Sequence, residues 1–578
     1  MKRHLVLSLA GVALLSVATS CMDDNYDLSD INTTSKLQVD NLTIPVNIDQ
    51  ITLKAIFDID ENDPDAAIQV VNGEYAVVRR GDFGSSDIKI NEINLHGTTG
   101  TPTQTTISTG VTGTLPAGQE VSLPFTLDAE TFEYSSTDVP AEIREIESLT
   151  GAFDMILKLE IPELASVMKT ITLRNLVFSL PKGFIGTPTD GTFDSEKGII
   201  TVTEAKMTNG SYTLTLACTG IDYVKAGGLF NPDTHYGVLD GAVKVESGTI
   251  VLNGSDVIGT LPADFNVNYS MSLSDIIVTA FTGKMCYEIT GVDFNEVNLN
   301  DLPDFLSQEG TRITLKNPQI YLGVTNPLSV YGLQARTGMS ITSEFSDESG
   351  TPSRTTSIDA PGYFDVSSAP ASAYVLSPVD PANVSEDYVG AHHVPYTGLS
   401  TVLEGNGLPK RLSITLDNPN VFEQRVQNLP LGISLGDVAG SYQFLAPLTF
   451  NAGSQIVYSE TEDGWNDEDV DAITIEVLQV KTTVSSTLPF SLKLTGYPID
   501  IDGNRINNVT IEGADIPAKA DKMDVTIKIT GEVTHLDGIV FTATGYVPED
   551  MKNALLPTQG ITCADIRATV SGYYIKEL

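Results

Sequence analysis

Ile473-Thr474-Ile475-Glu476-Val477 alternates apolar and polar residues position by position, and Val525-Thr526-Ile527-Lys528-Ile529 and Thr213-Leu214-Thr215-Leu216 do the same elsewhere in the chain. A period of two sends successive side chains to opposite faces of an extended strand, so each stretch reads as a strand with one buried and one wet face. Antiparallel sheets permit that, whereas all-parallel sheets need both faces covered. Working outward, Gly, Pro, Asn and Asp punctuate Thr-, Val- and Ile-rich runs at short intervals from about Ile44 onward. The expected fold class is all-β, with tandem antiparallel β-sandwich modules and a few short helices.

Helical spacing is confined to four pieces: Pro140 to Leu149, with Ile143, Ile146 and Leu149 on one face, Pro162 to Met168, Leu302 to Ser307, and Pro548 to Leu556. Each begins at or near a proline, which suits a first helical turn, and they are expected as caps or connectors. The length of 578 residues implies several domains, and a hydrophobic content of 41% gives each a packed core, which excludes global disorder. Soft boundaries fall near 236 and 410, where loops rich in Gly, Pro, His and Asp interrupt the strands. The expected division is a signal peptide (1–20), an acidic tether (21–43), and β-rich domains over 44–236, 237–410 and 411–578. The stretch from Ser346 to Pro381, rich in Ser, Thr, Pro and Ala, reads as a long surface loop or an exposed hairpin.

The amino end has three parts: Lys2 and Arg3, an apolar run from Leu5 to Val17, and small Ala18, Thr19 and Ser20 before Cys21. That is the order of a secretory signal. The run falls short of the roughly 20 residues that span a bilayer, so cleavage rather than permanent insertion is expected. Loss of Lys2 and Arg3 deepens a net charge that is already −42. No basic cluster exceeds the pairs Arg79-Arg80 and Lys410-Arg411, so nucleic acid is excluded as a partner class. Anionic lipid headgroups repel the body as well.

With Cys21 set aside for lipid, Cys218, Cys286 and Cys563 are too few and too scattered for a disulfide framework, and no C-x-x-C pair offers a structural zinc or thioredoxin-like site. H-E-x-x-H does not occur, and the one G-x-S-x-G match, Gly432-Ile433-Ser434-Leu435-Gly436, is followed by Asp437-Val438-Ala439-Gly440 rather than by the helix-forming stretch that a nucleophile elbow needs. A Ser-His-Asp triad would have to draw on His96, His235, His392, His393 or His535, none in a recognisable setting. The chain is therefore expected not to be an enzyme, with no catalytic residues and no cofactor. His392-His393 would reach one ion only from a loop, since strand neighbours face opposite ways, and otherwise make a polar turn. Calcium is the candidate ion for oxygen-rich loops: Asp58, Asp60 and Asn62 alternate as in a calcium loop, though Asp63 stands where an EF-hand needs glycine, and Asp467, Asp469 and Asp471 form a second acidic run. Both are otherwise solvated loops. Asp500-Ile501-Asp502-Gly503-Asn504 reads most simply as a hairpin turn.

Trp465, the single tryptophan, lies in the acidic loop and is either an exposed platform for sugar faces or the cover of a sandwich edge. Tyr458 and Tyr396, with Tyr374 and Tyr388, are further candidate ligand-binding residues, the alternative being core or cross-strand packing.

Small residues followed by Cys21 resemble a lipobox, although Ala18 stands where leucine is usual. Met22, Asp23 and Asp24 resemble the acidic export signal of Bacteroidota-type surface lipoproteins. Asn25-Tyr26-Asp27-Leu28-Ser29-Asp30 and Leu302-Pro303-Asp304-Phe305-Leu306 also look like members of that uncharacterised group. Thr314-Leu315-Lys316-Asn317-Pro318 is echoed by Thr415-Leu416-Asp417-Asn418-Pro419, each ending a strand with an Asn-Pro turn, and Val324 to Gly332 by Ser485 to Gly496. These stretches are similar to the late-embryogenesis and water-stress β-sandwich modules. The resemblance implies diacylation of Cys21 and anchoring to the outer membrane at the cell surface. The function expected is non-enzymatic binding or adhesion to a glycan or host surface; the alternative is a structural component of the envelope or of a surface assembly, with protein partners.

Overall fold

The computed structural model describes residues 34–577 apart from 46–50, 57–62, 64–65, 467–472 and the positions 112, 295, 307, 347–348, 360, 368 and 370. The chain is 61% strand and 5% helix, in several antiparallel sheets that form tandem β-sandwich modules. Among the described residues the one parallel pairing joins Ala371–Ser377 to His392–Pro395.

Three sandwiches are recognisable from ring contacts and core clusters. In the first, an eight-stranded sheet faces part of an eleven-stranded one: Tyr134 and Phe178 of the former lie 5.6 Å from Phe153 and 6.5 Å from Tyr269 of the latter. The second places a seven-stranded sheet against the rest of the eleven-stranded one, with Tyr374 5.4 Å from Phe364. The strand Ala280–Glu288 joins the two halves of the shared sheet, pairing with Ile143–Glu160 on one side and Arg411–Pro430 on the other. The third packs a six-stranded sheet on a four-stranded one around Ile475, Leu478, Ile529, Leu536 and Ile539. One apolar core cluster is continuous through all three.

The chain visits the sandwiches in nested order. Residues 34–52 belong to the third, 68–84 to the second, and 93–278 largely to the first; the chain then returns to the second over 293–447 and to the third over 455–577. Thr34–Pro45 lies antiparallel to Gly560–Glu577, and Ala439–Pro447 pairs with Glu74–Gly84. Positions 236 and 410 both meet strand starts, Tyr236–Asn253 and Arg411–Pro430. Strands on either side pair across them: Tyr236–Asn253 with Glu120–Ser136, and Arg411–Pro430 with Ala280–Glu288.

Residues 34–43, read from sequence as the end of the tether, are strand instead. Lys36, Leu37 and Gln38 stay exposed there, and the strand is tied by ladder hydrogen bonds to Gly560–Glu577. The segment from Pro140 to Leu149 corrects the helical reading. It opens the strand Ile143–Glu160, and the three-residue spacing of Ile143, Ile146 and Leu149 comes from register shifts opposite Gly283 and Met285. Each bulge adds a residue and moves the next apolar side chain back to the core face. Pro548 to Leu556 forms no helix either, being irregular chain with Met551, Ala554 and Leu555 buried. Helical turns do form at Pro162–Ala165 and Asp304–Leu306. Asn317-Pro318 ends no strand, following only isolated bridges at Arg312, Ile313 and Leu315, and instead precedes the strand Gln319–Thr325, while Asn418-Pro419 lies inside Arg411–Pro430, where Asn418 takes φ 50° and the register against Ala335–Glu344 slips. It marks a bulge, not a turn, because proline is tolerated where the ladder is interrupted.

A second bulge has a chemical consequence. Alternation through Phe125 and Leu127 would turn Glu130 to solvent, but the register slips between Val243 and Val245 opposite Asp128 and Ala129. Glu130 is thereby turned into the first sandwich at 1% exposure, and it is the one Asp, Glu, Lys or Arg buried among the described residues. No hydrogen bond of good geometry reaches either carboxylate oxygen, the Met271 backbone amide offering only a weak one, and the phenolic hydroxyls of Tyr134 and Tyr269 in the same interior have none. Burial pushes the Glu130 carboxyl above its usual range, with the Met271 backbone amide acting weakly against it.

Candidate functional site

Several residues singled out from sequence lie outside the described residues: Cys21, Met22, Asp23, Asp24, Asp58, Asp60, Asn62, Asp467, Asp469 and Asp471. Among the described residues no group of three or more His, Cys, Asp or Glu is placed to hold a metal ion. Asp500 forms the expected turn, its carboxylate accepting from the backbone N–H of Asp502 (3.0 Å) and Asn504 (2.8 Å). His393 Nε2 is 3.1 Å from the Ser377 carbonyl oxygen, while His392 is exposed beside Tyr374. His96 and Asp275 approach to 3.1 Å, and the Gly97 backbone N–H and His96 hold the Asp275 carboxyl below its usual range. Both side chains stand in solvent, without the desolvated setting that an acyl-transfer site uses.

The aromatic residues named from sequence do not converge. Tyr396 is 0% exposed and donates its hydroxyl to the Thr356 carbonyl (2.9 Å), so it is a core residue of the second sandwich and not a ligand-facing one. Tyr374 and Tyr388 are buried, Tyr388 stacking on Tyr321 at 5.3 Å. Tyr458 is half-buried and donates to Glu460 (3.1 Å). Trp465 packs partly buried against the separate core cluster of the third sandwich, and its backbone N–H is tied to Asp537 (2.7 Å). Of its two readings, the structure places it as the cover of a sandwich edge, because an indole near an unclosed core buries more apolar area there than in water.

A different constellation meets the requirements of a recognition surface. Arg336, Asp365 and Asn420 are cross-strand partners on the wet face of the shared sheet, while their neighbours Ala335, Thr337, Phe364 and Val421 turn inward. The guanidinium of Arg336 lies over two rings, 4.0 Å from the centroid of Tyr363 and 4.7 Å from that of Phe422. Its Nε donates to Asp365 (2.8 Å), whose carboxylate raises the already high pKa of Arg336. Tyr363 carries the cation on its ring and remains 38% exposed. Along the same strands a ladder of hydroxyls continues the surface: Ser340 bonds Asp417 and approaches Ser357 (3.3 Å), and Thr342 meets Thr355 (2.8 Å).

Sequence reasoning missed this cluster because its members come from positions 336, 363 to 365 and 422, which only the sheet register brings together. The local signal available was Tyr363-x-Asp365, an aromatic just before the strand Phe364–Val366 and an acid within it, inside the Ser346 to Pro381 stretch. That stretch supplies the strands Arg354–Ser357, Phe364–Val366 and Ala371–Ser377. Beneath the cluster, the cavity between Phe83, Phe294, Leu322 and Phe364 is about 30 Å³, room for one water and no ligand.

No family model and no curated protein matches the chain. Among solved structures, one described as a "putative secreted protein" from Parabacteroides distasonis aligns at 17% identity over 51% of this chain and 90% of its own, with a TM-score of 0.35. The triple jelly roll of an archaeal virus turret assembly aligns at 10% identity over 84% and 90% (TM-score 0.10), and Sulfolobus Turreted Icosahedral Virus at 10% over 83% and 91% (0.09). None superposes closely enough to define a shared fold.

Proposed function

We propose that the protein is a non-enzymatic binding protein, held outside the cytoplasm on the outer membrane through acylated Cys21, that captures neutral glycans on the wet face of the second sandwich. The observation that carries this reading is the contact of the Arg336 guanidinium with the rings of Tyr363 and Phe422 beside Asp365. Sugar rings present apolar C–H faces that stack on an aromatic ring, and equatorial hydroxyls that pair with planar donors and acceptors. The part-exposed Tyr363 ring beside the Arg336–Asp365 pair offers both, and the hydroxyl ladder extends the contact along a chain. A body with a net charge of −42 disfavours polyanionic glycans.

Calorimetric titration of the mature protein with neutral polysaccharides tests the reading. Tyr363→Ala should weaken binding about tenfold, which is ~1.4 kcal/mol, without altering the melting temperature. Binding indifferent to Tyr363→Ala and Arg336→Met would remove the site. A structural role in a surface assembly is the second reading, favoured by exposed Val224, Leu229 and Tyr236 near the hairpin of Leu229–Asn231 with Tyr236–Asn253. Co-purification of envelope proteins lost on Leu229→Ser, with no glycan bound, would select it.

A further inference from the structure

The third sandwich carries a concavity unrelated to the Arg336 cluster, where the strand Ser491–Asp500 begins and Leu536–Tyr546 ends. It measures about 220 Å³ and is lined by Ser491, Lys493, Asp515, Pro517 and Tyr546, together with Leu492 and Ile516. The sheet register explains the grouping: Ser491 lies opposite Tyr546, and Lys493 lies opposite Asp515. Directly opposed side chains sit roughly 5 Å apart at Cβ, close enough for an ion pair. Lys493 and Asp515 nevertheless make none among the described residues, so a donor and an acceptor of opposite charge both face the opening uncommitted. Tyr546 is 42% exposed at the rim.

The geometry points to a subsite for a single neutral sugar ring, such as the end of a glycan chain. The opening is bounded by one short run at each of three neighbouring strands, Ser491 to Lys493, Asp515 to Pro517 and Tyr546, a span that suits one ring rather than a run of them. Presenting both charge signs side by side disfavours a simple anion or cation, each of which would meet a like charge. A polyol satisfies both, accepting from the Lys493 ammonium and donating to the Asp515 carboxylate, with the Ser491 hydroxyl able to do either. The Tyr546 ring supplies the stacking face. This inference rests on the glycan-binding reading and adds a second point of attachment on another sandwich.

Saturation-transfer NMR on the mature chain, titrated with glucose, galactose, mannose and N-acetylglucosamine and their methyl glycosides, tests it. At least one should bind, and Tyr546→Ala and Asp515→Asn should each weaken it roughly fivefold or more, with unchanged melting, while Tyr363→Ala leaves it intact. Asp515→Asn guards against misfolding of the tyrosine variant. Monosaccharide binding unaffected by both variants overturns the inference. So does competition by glycine or alanine with no sugar bound, which would make the pocket a zwitterion site. If polysaccharide binds in a Tyr363-dependent way and monosaccharides do not bind at all, the inference falls and the wider reading stands. If no sugar of any length binds, both fall.

Discussion

Replacing Glu130 by methionine should stabilise the protein. The side chain keeps similar length and volume, while the two carboxylate oxygens that no well-formed hydrogen bond reaches inside the first sandwich disappear. A buried, unsatisfied polar group costs about 1–3 kcal/mol, more when charged, and an apolar replacement of the same shape removes that cost. For a cooperative unit of 150–250 residues each kcal/mol moves the midpoint roughly 2–4 °C, so calorimetry at pH 7 should show a rise of roughly 2–10 °C. The pH dependence gives the sharper assay. Burial raises the folded pKa above 4.5, so the folded state holds the proton more tightly than the unfolded one. Below pH 4.5 the acid is neutral in both states and the wild type is least penalised. Stability then falls as pH rises from 4.5 through the folded pKa, because the folded state must surrender a proton that the unfolded state has already lost. The gain from Glu130→Met should be larger at pH 7 than at pH 4, and Glu130→Gln should abolish that difference while keeping a polar orphan. A gain of equal size at both pH values, or a less stable methionine variant, would refute the reasoning.

Gly440→Ala should be severe, since its Cβ would stand 2.0 Å from the Gly323 carbonyl oxygen and 2.6 Å from the Phe83 ring in the second sandwich. A loss of at least about 2 kcal/mol by urea titration is expected. Thiol labelling at pH 8 followed by peptide mass spectrometry should modify half-exposed Cys286, whose sulfur accepts from Arg144 (3.1 Å), and spare Cys218, whose thiol burial pushes up to about 12. Trp465 should report on the third sandwich, so its emission should shift to the red when Leu478→Ala loosens that core and not when Phe178→Ala loosens the first.

Strand content was legible because it is local, and Val525 to Ile529 keeps the alternation it declares within five residues, whereas in Ile473 to Val477 a bulge after Ile475 hands the inward place from Val477 to Leu478. The turn at Asp500 was legible for the same reason. What sequence could not carry is whatever depends on a partner strand. The bulges that space Ile143, Ile146 and Leu149 like a helix are defined against Ala280–Glu288 more than a hundred residues away. Glu130 looks like a surface acid until the slip opposite Val243 turns it inward. Nesting is not written locally, because Leu37, Val39, Leu42 and Ile44 of Thr34–Pro45 announce at most a strand, and its partner Gly560–Glu577 lies more than five hundred residues on. The candidate site suffers the same limit. Arg336, Asp365 and Phe422 are ordinary strand residues one at a time, whereas Trp465 and Tyr396 drew attention by type and were taken up by packing.

The pairing of the first described strand with the last has a consequence for manufacture. Gly560–Glu577 lies between Thr34–Pro45 and Ile473–Ser486, so the six-stranded sheet stays split until that strand is made. A polypeptide broken off before it leaves the margin of Ile473–Ser486 bare, an unpaired edge on which foreign strands can add.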